Sequence, residues 1–194
     1  MIGKESLLEA IAGTNRGLVA SSTEKQEILA RVAQLEGRNP NPRPLEMPEL
    51  LDGDWRLLYT TSAELLGIDR VPLFNLGPIY QCIRFNDGAV YNIAELSGIP
   101  YLESLVSVSA RLTPVGDRRV DVRFNRGIWG LQRVLGYQSP TQFIAKIESG
   151  ASFPPVDFAI NPENQNGWLD ITYLDRELRI GRGNKDSVFV LSRV

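Results

Sequence analysis

Two groups of apolar residues recur at helical spacing near the start of the chain. They are Leu7, Leu8 and Ile11 in the first group, and Ile28, Leu29, Val32 and Leu35 in the second. Gly13 and Gly37 follow the two groups as helix stops, and Thr23 with Gln26 resembles a capping box. The pattern predicts two N-terminal helices. Their apolar stripes either pack against the main body or form a partner-binding helix pair.

A proline-rich stretch, residues 39–50, interrupts this pattern. Proline fixes φ and removes a backbone donor, which disfavours both a helix interior and a central strand. We therefore expect a stiff connector on the surface. The chain divides into a helical segment with its connector, residues 1–48, and one compact unit, residues 49–194.

Beyond the connector, apolar and polar residues alternate in short segments separated by turn residues. The clearest segments are residues 54–61, 102–112, 118–124, 168–174, 178–180 and 187–194, and the weaker ones are residues 79–85, 89–96 and 140–148. No helix-length segments alternate with them, which disfavours parallel βαβ units. The pattern predicts a mainly β (α+β) fold, an antiparallel barrel or sandwich of about eight or nine strands. Residues 125–138 fit either a short helix or an irregular loop.

The apolar faces of the predicted strands are candidates for the inside of a barrel. Seven residues on these faces form the cavity-lining prediction: Trp55, Leu57, Tyr59, Val108, Val122, Phe124 and Tyr173. A closed sheet of about eight strands leaves an interior wide enough for side chains or for one small ligand. Small residues on the same faces, such as Ser104 and Ala110, leave space for a cavity. Alternatively, large and small residues interlock into a solid core, and both alternatives stay open at this point.

Composition narrows the available chemistry. The chain has 194 residues and a net charge of -2, without the basic excess typical of a general nucleic-acid binder. It has no histidine and a single cysteine, Cys82. Ser-His-Asp and Cys-His catalysis, histidine metal sites and an intramolecular disulfide are therefore excluded. No apolar run reaches the roughly 20 residues that cross a bilayer. We expect a soluble or peripheral protein.

Carboxylates are the remaining candidates for catalysis. Asp52 with Asp54, and Asp170 with Asp175, lie close enough in sequence to form pairs. Acidic residues beside turns are more typical of capping or solvated positions, and nothing supplies a base partner. We predict no catalytic residue, no metal and no cofactor. Cys82 lies in a strand pattern, which predicts an inert packed thiol.

The sequence GRGNK, residues 181–185, resembles a phosphate-binding loop but has the wrong spacing. In a P-loop the lysine precedes serine or threonine, whereas Asp186 follows Lys185 here. The next residues alternate like a strand, so the helix N-terminus that binds phosphate is missing. Gly181, Gly183 and Asn184 therefore predict a tight hairpin turn, in which the glycines supply backbone angles barred to other residues.

Two arginines flank or occupy this turn. Arg179 and Arg182 either pair with Asp175 or with neighbouring carboxylates, which we favour, or face an anionic headgroup. Apolar residues also lie in predicted loops near arginines, with Phe74, Trp129 and Phe153 as the candidates for a membrane rim. Such residues either fold back onto the core or touch lipid at the headgroup boundary.

Two blocks of the chain resemble the plastid-lipid-associated proteins, also called the PAP/fibrillin family. These blocks are LDGDWRLLYTTS, residues 51–62, and ITYLDRELRIGRGNKDSVFVL, residues 171–191. Residues 35–61 are also similar to the family's junction between helices and barrel, and the resemblance covers nearly the whole chain. Asp186 departs from the small residue usual in the family.

A shorter motif, Gly53-x-Trp55, is similar to the G-x-W of lipocalins. In lipocalins the tryptophan plugs one end of the barrel, and an arginine from a late strand lies across it. The resemblance allows either Arg179 or Arg193 to take this part.

The resemblance implies a lipocalin-like antiparallel barrel preceded by two helices. It implies non-enzymatic binding or organisation of a lipophilic molecule, such as a lipid, carotenoid or quinone, at photosynthetic membranes or lipid globules, with a link to photoprotection. We expect a cyanobacterial chain, cytoplasmic or peripheral to thylakoids, or a trimmed plastid chain. The alternative is a structural protein with a solid barrel that coats lipid surfaces or docks a partner. An enzyme or chromophore-handling protein that uses Asp or Tyr is a third hypothesis.

Overall fold

The computed structural model describes residues 3–63, 74–98, 100–163 and 165–194, with Phe74 described by its backbone alone. The strands are β1 (Gly53–Thr60), β2 (Phe74–Arg84), β3 (Ala89–Gly98), β4 (Ser104–Val115), β5 (Arg119–Leu131), β6 (Asp157–Ala159), β7 (Gly167–Leu174), β8 (Leu178–Gly183) and β9 (Ser187–Arg193). The helices are α1 (Lys4–Ile11), α2 (Ser22–Glu36), α3 (Pro48–Leu51), α4 (Gln132–Leu135) and α5 (Pro140–Glu148). Short 3₁₀ turns lie at Pro44–Glu46 and Asn184–Asp186.

Eight of these strands form a closed antiparallel barrel. Strands β1 to β5 pair in sequence order, β5 pairs with β7, and β7, β8 and β9 continue the sheet until β9 pairs with β1. Strand β6 is an extra strand that pairs only with residues 126–128 of β5. The prediction of an antiparallel barrel of eight or nine strands, preceded by two helices, is confirmed.

Apolar side chains on the inner faces of the strands form the barrel interior. This cluster includes Leu57, Ile79, Val90, Ala110, Val120 and Ile171. The alternation of inner and outer residues follows from the two-residue period of a strand. Helix α3 adds Leu51 to the same cluster, so it covers one end of the barrel, which we call the α3 end. The opposite end carries the 3₁₀ turn between β8 and β9, and we call it the β8–β9 end.

Helices α1 and α2 pack against the outer face of β1, β7, β8 and β9. Leu7, Ile28, Val32 and Leu35 are at most 1% exposed, and they meet Ile180 and other outward residues of the barrel. Burying each large aliphatic side chain contributes about 1.5–3 kcal/mol. The predicted stripes therefore pack against the main body. The helix α2 cap is Ser21 with Glu24, two residues before the predicted position.

Helix α5 covers a second part of the outer surface, where the sequence predicted a weak strand. That prediction for residues 140–148 is wrong. The Ser139 side chain accepts a hydrogen bond from the Gln142 backbone amide, and Pro140 occupies the first helical position. Phe143, Ile144 and Ile147 are then buried in a cluster with Cys82 and other outward residues of the barrel.

Two other segments also differ from expectation. The connector contains α3 and the 3₁₀ turn Pro44–Glu46, because Pro44 and Pro48 stand at helix starts, where a missing backbone N–H costs nothing. Residues 125–138 continue β5 as far as Leu131 before turning into α4.

Candidate functional site

The barrel is hollow and contains a cavity of about 340 Å³. Its walls are mainly aliphatic and aromatic, with Leu57, Ile79, Val108, Leu112, Val122 and Phe124 among them. The polar residues at the cavity are few, and include Gln81, Asn92 and Arg179 toward the α3 end, with Asn184 and Ser187 at the β8–β9 end. An apolar cavity with a few polar groups is the usual form of a small-molecule site.

Four of the seven residues predicted to line a cavity do so in the structure: Leu57, Val108, Val122 and Phe124. Trp55 is fully buried in the interior cluster but belongs to the α3 end rather than to the cavity wall. Contact between these residues and a ligand stays a prediction.

Tyr59 and Tyr173 lie outside the barrel wall, in the cluster beneath α1 and α2. The reason is a change of register in each strand. The pairing of β1 with β9 shifts between Leu57 and Tyr59, and the pairing of β7 with β8 shifts between Ile171 and Tyr173. A bulge of one residue reverses which side chains face inward. Strict alternation therefore assigned these two tyrosines to the wrong face.

Trp55 seals the α3 end with help from two arginines. Its indole Nε1 donates to the Leu51 carbonyl at 3.0 Å. The Arg193 guanidinium lies 4.4 Å from the centre of the Trp55 ring and donates to the carbonyls of Leu50, Asp52 and Arg176. Arg193 therefore takes the part of the late-strand arginine in lipocalins, and it also ties β9 to the residues before β1.

Arg179 occupies the cavity side of the same tryptophan. Its guanidinium carbon lies 5.0 Å from the Trp55 ring centre, and its side chain is 1% exposed. Burial, together with the charge of Arg193, lowers the pKa of Arg179 to about 9. Arg179 makes no ion pair with any described carboxylate. The expected pairing with Asp175 or a neighbouring carboxylate is therefore wrong for Arg179.

The two glycines of GRGNK are strand residues, not turn residues. Both face the cavity from β8. A Cβ atom on Gly181 would come within 3.1 Å of Leu169 Cδ1, and one on Gly183 within 3.3 Å of the Phe189 ring. Their small size therefore admits neighbouring side chains and leaves space in the barrel.

The turn itself lies at the next residues. Positive φ angles fall on Lys185 and Asp186, at 57° and 55°. The Asn184 side chain accepts from the Trp168 backbone amide at 2.9 Å and donates to the Asn166 carbonyl at 2.9 Å. Asn184 therefore joins this turn to the start of β7. The prediction that the glycines supply the special turn angles is corrected.

Arg182 and Asp175 form polar ties, but not with each other. Arg182 faces outward and donates two hydrogen bonds of 2.8 Å to Glu36 at the end of α2. Asp175 accepts from the backbone amides of Glu177 and Leu178 at 2.7 Å each, and it lies 2.7 Å from Lys4 Nζ. Arg182 therefore joins α2 to the barrel, and Asp175 joins α1 to the β7–β8 turn.

The three residues predicted to form a membrane rim, Trp129, Phe153 and Phe74, lie in different environments. Trp129 is 57% exposed near the end of β5. Phe158 of β6 is 53% exposed and lies against Gly127, two residues before Trp129. Phe153 folds back onto the Phe143 ring, with 5.4 Å between ring centres. The side chain of Phe74 lies outside the described part of the structure. An exposed aromatic pair, Trp129 with Phe158, therefore remains as the candidate surface for lipid.

Sequence reasoning missed Gln81 and Asn92. The Gln81 Nε2 donates to the Asn92 Oδ1 at 2.9 Å, and the Gln81 Oε1 accepts from Arg179. A signal was present, because each polar residue interrupts an inward-facing apolar series. Gln81 lies between Ile79 and Ile83 on β2.

Other chemistry is limited in the described part of the chain. Cys82 is buried against α5, and this burial raises the pKa of its thiol. No group of three His, Cys, Asp or Glu side chains is arranged to hold a metal ion within those residues. None of the described helices has the length and apolar character needed to cross a membrane.

Comparison with known proteins identifies relatives along the whole chain. It is 35% identical to a chloroplastic light-induced protein of Solanum tuberosum over 97% of its length and 66% of the relative. It is 36% identical to plastoglobulin-1 of Pisum sativum, covering 98% of this chain and 60% of the relative. A chromoplast-specific carotenoid-associated protein C1 of an Oncidium hybrid is 33% identical over 97% of this chain and 67% of the relative.

The chain thus spans about two thirds of the length of these curated relatives. No solved structure matches it significantly. The family model PAP_fibrillin matches residues 1–192, which include the helices, the hollow barrel and the GRGNK turn. The chain therefore belongs to the PAP/fibrillin family of plastid-lipid-associated proteins.

Proposed function

We propose that this protein binds one lipophilic molecule inside the barrel and does not act on it chemically. The observation that carries the proposal is the cavity of about 340 Å³ with mainly apolar walls. Small-molecule sites generally measure about 300–1,000 Å³. Moving an apolar ligand from water into such a site contributes roughly 25 cal/mol per Å² of surface buried. Lipid, carotenoid and quinone are the candidate ligand classes, and the name of the Oncidium relative supports a carotenoid association.

The proposed setting is a lipid-globule surface or a photosynthetic membrane, in a plastid or a cyanobacterium. The relatives' names, which place them in chloroplasts or chromoplasts, support such a setting. A role linked to photoprotection is part of the proposal, and the potato relative's name, a light-induced protein, supports it. Thylakoid association is the specific location that we propose for a cyanobacterial chain.

Two valines on β4 provide a matched test. Val108 lines the cavity, whereas Val115 ends the strand and is 46% exposed. We expect Val108→Phe to weaken binding of a lipophilic probe by about tenfold, because the added ring occupies ligand volume without leaving a buried polar group. Val115→Phe adds the same ring outside the cavity and should bind normally. Native mass spectrometry of protein purified from a pigmented host would identify the natural ligand.

The outcome that contradicts the proposal is equally specific. Wild-type protein that carries no lipid, pigment or quinone above the level of an unrelated barrel, and takes up none from detergent solution, would show that the cavity is not a binding site. A ligand that binds both valine variants equally would place binding elsewhere on the protein.

A second candidate function, coating of a lipid surface, is favoured by one specific observation. Trp129 of β5 and Phe158 of β6 are both about half exposed, on two strands that pair with each other. Aromatic side chains are suited to the boundary between headgroups and acyl chains. Surface coating does not require a bound ligand, so it is tested separately by lipid association.

A further inference from the structure

The inner face of β8 carries one charged residue, Arg179. Leu178 and Ile180 on either side of it face outward to the α1–α2 cluster. Arg179 therefore points inward and lines the cavity near the α3 end. Its side chain is 1% exposed. A cation inside an apolar cavity loses its hydration and needs compensation from partners.

The described residues supply only part of that compensation. A guanidinium has five N–H donors. One nitrogen, Nη2, donates to Gln81 Oε1, while Nε and Nη1 are buried without a hydrogen-bond partner among the described residues. The Trp55 ring adds a cation–π contact at 5.0 Å, which does not satisfy an N–H donor. Arg193, the neighbouring charge, is another cation.

The surroundings hold Arg179 ready for an acceptor. Gln81 is fixed from its other side, because its Nε2 donates to Asn92. The Arg193 guanidinium already donates hydrogen bonds to the carbonyls of Leu50, Asp52 and Arg176, so its donors are used within the protein. With a pKa of about 9, Arg179 remains protonated at neutral pH. The cavity therefore presents one positive group at its α3 end and apolar walls toward the β8–β9 end.

We propose that Arg179, held by Gln81, binds the carboxylate of a long-chain fatty acid whose acyl chain extends along the cavity toward the β8–β9 end. The inference rests on the proposed function, that the barrel holds a lipophilic molecule. A carboxylate matches one guanidinium in charge and in fork geometry. A neutral carotenoid hydrocarbon leaves both free donors unsatisfied. Because Nε and Nη1 are covered by neighbouring atoms, a small rotation of the guanidinium accompanies binding.

The test compares a fatty acid with neutral molecules of the same chain length. Affinities of palmitate, methyl palmitate and hexadecanol are measured by calorimetry for wild type, Arg179→Met and Arg182→Met. We expect Arg179→Met to weaken palmitate binding by about tenfold to hundredfold, as for other hydrogen bonds to charged groups. The two neutral molecules should bind this variant at least as well as wild type. Arg182→Met is the control, since Arg182 lies on the same strand but faces outward to Glu36.

The outcomes separate the two proposals. If wild type binds none of the three molecules, the carboxylate site is wrong, and the cavity function fails as well only if the protein also takes up no carotenoid or quinone. If all three bind with equal affinity and Arg179→Met lowers them equally, the cavity function stands and the carboxylate site is wrong. Hexadecyl phosphate is a further arm, and tighter binding than palmitate would overturn the carboxylate assignment.

A measurement on wild-type protein covers the case in which Arg179→Met does not fold. Palmitate labelled with carbon-13 at its carboxyl is titrated in the complex by NMR. Contact with Arg179 should hold the bound carboxyl ionised at a pH where free palmitate is half protonated, because an opposite charge favours the charged form. A bound carboxyl with an unchanged or raised pKa would overturn the proposal.

Discussion

Asp175 shows how one side chain joins three parts of the fold. Its carboxylate accepts hydrogen bonds from the Glu177 and Leu178 amides in the β7–β8 turn, from the Tyr173 hydroxyl at 2.8 Å, and from Lys4 of α1. Burial works against ionisation, but these hydrogen bonds and the Lys4 charge lower the pKa of Asp175 below its ordinary value. The ionised form is therefore the one that the fold stabilises.

The first prediction follows from the direction of that pKa. Because the pKa is lower in the folded state, the stabilisation is complete above the unfolded value near 4 and is lost as pH falls through the folded value. Asp175→Asn should lower the free energy of unfolding by about 1–3 kcal/mol at pH 7. The difference should shrink toward pH 3, where the wild-type carboxyl is protonating. Urea unfolding at both pH values measures it.

A control for this prediction lies in the β2–β3 turn. Asp87 is exposed there, so Asp87→Asn should change stability by less than about 0.5 kcal/mol at either pH. An Asp175→Asn variant with the same loss at pH 7 and pH 3 would mean that the hydrogen-bond geometry, not the charge, stabilises the turn.

At the scale of elements, helix α2 is attached to the barrel by both apolar and polar contacts. Glu36 near its C-terminus accepts two hydrogen bonds from Arg182 and one of 2.6 Å from the Thr172 hydroxyl. The Glu36 side chain is only 15% exposed. A bidentate pair with this degree of burial is stronger than an exposed one.

The same helix offers a matched pair for the next prediction. Glu36→Gln should lower the free energy of unfolding by about 1–2 kcal/mol, because it removes the charge opposite Arg182. Glu27→Gln breaks the exposed pair with Arg31, one turn apart on the helix, and should cost about 0.3–0.5 kcal/mol. Thermal or urea unfolding of the two variants compares them. Equal losses would show that the Arg182 pair does not fasten α2 to the barrel.

The elements also show what the sequence predicts well and what it does not. Alternation on β4 and β5 correctly placed Val108, Val122 and Phe124 on the cavity wall. It failed at Tyr59 and Tyr173, because a bulge depends on pairing with a distant strand and leaves no local signal. The strand prediction for residues 140–148 is wrong for a different reason. Their apolar pattern fits the period of a helix as well as that of a strand, and the Ser139 cap favours the helix.

The site was less predictable than the fold. Arg179 and Arg182 look alike in sequence, yet their separation by three residues, an odd number, places them on opposite faces of β8. Arg179 faces the cavity, and Arg182 contacts Glu36. Gly181 and Gly183 were expected at a turn because glycine is common there, whereas close contacts with Leu169 and Phe189 explain them. Roles of this kind depend on which residues of neighbouring strands and helices lie nearby, and alternation along one strand does not specify them.

At the scale of the whole molecule, the two proposed lipid sites differ in kind. The cavity would hold one molecule, whereas the exposed pair Trp129 and Phe158 would contact a bulk lipid phase. These proposed activities need not depend on each other, because the pair lies on β5 and β6 while Arg179 and Gln81 lie near Trp55 at the α3 end. Separate variants can therefore distinguish ligand binding from surface attachment.

The last prediction concerns that attachment. Removing both aromatic side chains, in Trp129→Ala with Phe158→Ala, should reduce flotation with galactolipid–phosphatidylglycerol vesicles by at least about tenfold, since each buried aromatic contributes about 1.5–3 kcal/mol. Met47→Ala, a change at a 37% exposed residue beside α3, is the control and should float normally. With a net charge of -2, the protein has little electrostatic attraction to anionic lipid, so added salt should not release it. Release by salt, or unchanged flotation of the double variant, would show that charged residues rather than this aromatic pair contact the vesicle.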